Sequence, residues 1–185
     1  MNLKEMKQAV LTLIEEASEG DKSVTEDLDI TNKINDVINI VMFELARMKK
    51  IPARVEVSIT ETVFELKKQL NDFFQLERIR YKDVDGNEGE YDIFGNIVEF
   101  PKPGTAVFYY WKYPQRITDE TEDESYVFEL SDDVLQVMPL GVAGMLLMSD
   151  VSNNYGQIYT KQYETELQRL DSRHVLGMIS FEGGI

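Results

Sequence analysis

The 185 residues include no cysteine, which excludes a disulfide framework, thiolate zinc sites and a cysteine nucleophile, and leaves the redox compartment open. Histidine occurs once, as His174, so neither an imidazole zinc site nor a Cys–His pair can be assembled. No G-x-S-x-G elbow offers that histidine a serine. Basic residues are few: 19 lysines and arginines face 34 aspartates and glutamates, a formal charge of −15. A surface of that sign repels phosphate backbones and disfavours tight nucleic-acid binding. Phosphate-cradling G-x-x-x-x-G-K spacing is absent. The opening MNLKEMKQ has no apolar run after its first charges, so neither a signal peptide nor a membrane anchor is expected.

What is present reads as helix, helix, a run of strands, helix, helix. Leu3, Met6, Val10, Leu13, Ile14 and Ala17 form one face of a first helix. Ile30, Ile34, Val37, Ile38, Val41, Met42, Leu45 and Met48 form a second, which ends before Pro52. The period then falls to two: Val55, Val57 and Ile59 alternate with polar residues. LERIRYKDV (76–84), the turn Asp85-Gly86-Asn87 and GEYDIF (89–94) read as a hairpin, and TAVFYYWKY (105–113) is the strongest strand of a small meander. The segment 62–70 reads as mostly irregular, DETEDE (119–124) as a solvated acidic loop, and 126–130 as a short last strand.

Ser131, Asp132 and Asp133 then open a helix whose next residues, VLQVMPLGVAGMLLM, are apolar all round, which marks burial on every side. It is too short to span a bilayer. Gly141, Ala143 and Gly144 let a neighbouring backbone come close. After the polar link DVSNN, Tyr155, Ile158, Tyr159, Tyr163, Leu167 and Leu170 make one stripe on a second helix. These tyrosines suit a core edge or a subunit boundary. The tail from 171 spreads Val175, Leu176, Met178, Ile179 and Phe181 without helical period, and reads either as an edge strand or as an arm that docks on another chain. The arm is favoured, because so short an apolar segment needs an external groove.

The expected fold is therefore α+β: a mainly helical bundle of about four helices (2–49 and 131–170) with a small antiparallel β-layer inserted at 53–130. One domain is expected over 1–170, followed by an extended C-terminal arm at 171–185. Chemistry is thinly signalled. Asp83, Asp85, Asn87 and Asp92 resemble a calcium loop, but the glycine and the final bidentate glutamate are misplaced, so a hairpin turn is the reading and no metal is assigned. No pair of carboxylates stands out for acid–base work. Trp111, Phe108, Tyr109, Tyr110 and Tyr113 form an aromatic cluster near Lys112, Arg116, Arg78 and Arg80, read as core on one face and a protein contact on the other.

Four segments carry a resemblance: LNDFFQLERIRY (70–81), GNIVEF (95–100), VFYYWKYPQRIT with its acidic follow-on (107–124) and LGVAGMLLMSDVSNNYGQIYTKQYETELQRL (140–170). Together they resemble the head-to-tail connector proteins of tailed bacteriophages, also called adaptors, head completion proteins or tail accessory factors. Ala143, Leu146 or Leu147, and Asp150 fit that family's buried-helix pattern loosely. The resemblance implies a structural virion protein with no catalytic residue and no cofactor. It would be made in the host cytoplasm and placed at the head–tail interface. Its copies would form a ring, as a dodecamer in relatives, between the portal protein and the tail or stopper protein. DNA would pass through without specific binding, and no membrane is involved. The residues expected to meet partners are Leu176, Met178, Ile179 and Phe181 of the arm, with Tyr155, Tyr159 and Tyr163. Two other classes compete: a carboxylate-dependent cell-wall hydrolase, which needs a concave site with a raised acid pKa, and an acidic DNA mimic, which needs carboxylates spaced like phosphates.

Overall fold

The computed structural model describes residues 1–18, 28–148 and 154–175. Within them the fold is α+β, with five helices and two three-stranded antiparallel sheets. This corrects the expected mainly helical bundle of about four helices with one β-layer. The strands form two sheets, and a further short helix stands among them. The chain divides into two compact units, Met1–Leu45 with Arg116–Ile185, and Ala46–Gln115.

The first unit is helical. α1 (Leu3–Ser18) buries Leu3, Met6, Val10 and Ile14. Its first turn is closed by a reciprocal cap: the Glu5 amide donates to Asn2 Oδ1 at 2.8 Å and the Asn2 amide to Glu5 Oε2 at 2.9 Å. α2 (Leu28–Met48) buries Ile34, Ile38, Val41, Met42 and Leu45 at helical spacing. Residues 119–124 are not simply a solvated loop. Lys7 pairs with Asp123 at 2.8 Å, Lys4 pairs with Glu124 at 2.7 Å, and the Lys4 amide donates to the Asp123 carbonyl. Residues 126–130 make a single bridge, Val127 to Asn2, in place of a strand.

α4 (Asp132–Leu147) and α5 (Tyr155–Val175) pack on each other, and α4 also packs on α1. Ser131 stands at the N-cap position, although its side chain makes no capping bond. Burial surrounds α4 apart from Gln136, Met145 and the first turn. The reason for its glycines is contact with α5: a Cβ on Gly144 would lie 2.8 Å from Thr160 Oγ1 and 3.0 Å from the Thr160 amide nitrogen. α5 continues past Leu170 to Val175, so the backbone of His174 is helical.

The second unit holds the sheets. β1 (Ile51–Ile59), β6 (Gly104–Lys112) and β3 (Phe73–Asp83) form one, in the order β1-β6-β3. β2 (Val63–Glu65), β5 (Ile97–Glu99) and β4 (Asp92–Phe94) form the other, in the order β2-β5-β4. The expected meander is thus replaced: the last and most β-prone strand inserts between the first and third. The expected hairpin partner of β3 leaves after one bridge, Lys82 to Glu88, and joins β5. The segment expected to be irregular supplies β2 and the one-turn α3 (Leu66–Gln69). Phe64, Leu66, Leu70, Val98 and Phe100 from the smaller sheet side meet Ile79, Tyr81, Ala106, Phe108 and Tyr110 of the larger sheet.

The turn after β3 is built on Asp83, whose Oδ1 accepts from the Asn87 amide at 2.9 Å and the Asp85 amide at 3.0 Å. Those bonds hold the carboxyl below its usual pKa, the Asn87 backbone contact contributing most. A depressed folded pKa means that the stabilisation is present above the unfolded value and is lost as pH falls through the folded one. Asp83→Ala should therefore speed hydrogen exchange at Asp85 and Asn87 at neutral pH. Acidifying the natural chain should loosen the same two amides; equal protection in both forms would remove Asp83 from the turn.

Candidate interaction surface

Alternation along β6 sends Ala106, Phe108 and Tyr110 inward and Thr105, Val107, Tyr109 and Trp111 to the other face. The register decides what joins them. Arg54 of β1 and Arg78 of β3 flank Tyr109; Glu56 and Arg80 flank Val107; Ser58 and Lys82 flank Thr105; Pro52 and Gln75 flank Trp111. Two irregularities in β3, between Phe73 and Gln75 and between Leu76 and Arg78, keep Ile79 inward while Arg78 and Arg80 point out.

The cations lie on the rings. The Arg78 guanidinium carbon is 4.1 Å from the Tyr109 ring centre, and that of Arg80 is 5.7 Å away. Lys50 Nζ stands 5.6 Å over Trp111 and donates to Gln75 Oε1 at 2.9 Å. Arg54 is 3.6 Å from Glu56 and keeps 59% of its side chain exposed. Glu56 is the carboxylate among these paired positions, and Glu77 is exposed at the second irregularity of β3. The result is a face on which exposed cations lie over half-buried aromatic rings, in a strongly acidic chain. Sequence reading had placed Arg78 and Arg80 near Trp111 but missed Lys50, Arg54 and Lys82, because only the β1-β6-β3 pairing brings them to one face.

The residues expected to meet partners fall elsewhere. Tyr159 and Tyr163 are buried in the helical unit. The Tyr159 hydroxyl donates to the Leu13 carbonyl at 2.9 Å, and the Tyr163 ring lies against Gly141. Burial, and then the Glu44 carboxylate, push the Tyr163 pKa upward, so its hydroxyl stays neutral. Tyr155 is exposed. Leu176, Met178, Ile179 and Phe181 lie outside the described residues.

Concave places accompany these features. A groove of about 520 Å³ on α4 and α5 is lined by Leu140, Ile158, Lys161, Gln162, Thr165 and Arg169. In the sheet unit, a depression of about 650 Å³ is lined by Glu90, Tyr91, Asp92, Glu99 and Phe100. Among the described residues no cluster of histidine and carboxylate side chains is placed to hold a metal ion. Two displaced carboxyl pKa values, those of Asp83 and Glu124, both move down, the latter through its bond to Lys4. A general acid needs the opposite shift. No described helix is long and apolar enough to cross a membrane.

The chain matches no protein-family model and no curated protein.

Proposed function

We propose that this chain is a structural adaptor of a tailed bacteriophage virion, one subunit of a ring between the portal and the tail or stopper protein. The observation that carries the reading is the cation–aromatic sheet face, with its exposed arginines over half-buried rings. Arginine, tyrosine and tryptophan are the residues enriched where proteins meet, and here they stand on the outer side of a sheet whose inner side packs into the core of the unit. Of the four segments that resemble connector proteins, 70–81 and 107–113 supply two strands of that sheet, 95–100 supplies a strand of the smaller sheet, and 140–170 supplies most of the packed α4–α5 pair. The net charge of −15 suits a wall that DNA slides past.

Negative-stain microscopy of the chain mixed with its portal tests this. Rings capping the portal are the expected result. A chain that stays single beside the portal and cleaves cell-wall polymer would overturn it in favour of a hydrolase.

A further inference from the structure

The charge of the chain is divided unevenly between its two units. Ala46–Gln115 holds eleven basic and eleven acidic residues and is neutral; the remaining eight basic and 23 acidic residues all belong to the helical unit, which carries the whole −15. Within that unit, residues 117–160 contain no lysine or arginine, and eight carboxylates fall in 119–133. Lys7 and Lys4 occupy Asp123 and Glu124. Asp119, Glu120 and Glu122 are not buried.

We infer that the cation–aromatic face of the β1-β6-β3 sheet docks the acidic 119–133 segment of a second copy of this chain, so that copies associate head to tail. Each copy carries both halves of the contact, and two different patches meeting give a heterologous interface, the kind that closes into a ring or runs on as a filament. The charges are complementary where the surfaces meet, although the whole chains repel. Arginine forks match carboxylates in two-point hydrogen bonds. A nucleic acid fits less well, because Arg78 already lies over the Tyr109 ring and Lys50 over Trp111, where a base would have to stack. The inference deepens the ring reading and rests on it for closure only; the contact itself is tested on the chain alone, without portal.

Sedimentation velocity of the full chain over a concentration series is the experiment. Association is expected at low salt, and it should fade toward about 1 M salt, where the screening length is ~3 Å. Arg78→Glu with Arg80→Glu should weaken it about a hundredfold, since like charges then face each other. Asp119→Lys, Glu120→Lys and Glu122→Lys together should do the same. Mixing the two variants should restore association, because the reversed face now meets a reversed segment. Circular dichroism checks each fold, and Arg78→Gln with Arg80→Gln replaces the glutamate pair if that pair fails to fold. A natural chain that stays monomeric throughout, variants that associate undiminished, or a mixture that does not recover would overturn the inference. So would tight binding of a fluorescent oligothymidine that the Arg78 and Arg80 variants abolish, which would assign the face to nucleic acid.

Discussion

Phe108→Ala should cost about 3–5 kcal/mol, the usual range for deleting a buried aromatic ring. Phe108 is fully buried in the central strand of the larger sheet. Its ring stacks on Phe64 at 4.5 Å and meets the edge of Phe100 at 6.4 Å, while Val55 and Ile79 stand opposite it on the neighbouring strands. Both sheets wall the space it fills, and hydrogen bonding on both sides of β6 prevents collapse into the void. For a unit of this size each kcal/mol lowers the melting temperature by about 4–8 °C. The next residue is the internal control. Tyr109 is on the outer face and half-buried, and Tyr109→Ala should cost about 1–2 kcal/mol, less than the buried ring, from its contact with Arg78 and part of its packing. Thermal melts of the two variants should therefore differ widely. Similar losses would mean that the sheet has no inner and outer side of the kind that positions the cation–aromatic face.

The parts legible in the sequence were those governed by local periodicity. Most of the apolar stripes of α1 and α2, most of the burial of α4 and the Gly144 approach to α5 follow from residues a turn or so apart and are present in the structure, whereas Met48, Met145 and Met148, expected on buried faces, are exposed. The Asn2–Glu5 cap was written in the sequence as N-x-x-E before an apolar stripe, and could have been read there. Strand order could not. β6 pairs with β1 and β3 across long stretches of chain, and no local signal says that TAVFYYWKY belongs between them and not beside its sequence neighbour. The outer face inherits that difficulty: Arg54, Arg78 and Tyr109 are meaningful together only once the register is known. Binary patterning also misleads at one position of α2. Ile40 is 53% exposed while its neighbour Asn39 is 5% exposed, the reverse of what hydropathy alone assigns.

That inversion has a large expected consequence. Asn39 Nδ2 donates to the Ile117 carbonyl at 2.8 Å, and the Ile117 amide donates to Asn39 Oδ1 at 2.9 Å, so one side chain completes the backbone of a buried residue as a neighbouring strand would. Asn39→Leu keeps the volume and removes both partners. Two buried backbone groups left bare at about 1–3 kcal/mol each give an expected loss of about 2–6 kcal/mol, read from urea denaturation. Asn39→Asp separates hydrogen bonding from size. As a neutral acid the new side chain can donate to the Ile117 carbonyl and accept from its amide; as a carboxylate it turns a charge on that carbonyl in a buried site. Burial and this mismatch raise its folded pKa above the unfolded value of about 3.9. A raised folded pKa gives stability that is fully present below the unfolded value and is lost as pH rises through the folded one. The variant should therefore grow less stable relative to the natural chain between mild acid and neutral pH. A difference between the two that stays flat with pH would show that the Asn39 amide is not what holds Ile117 in place.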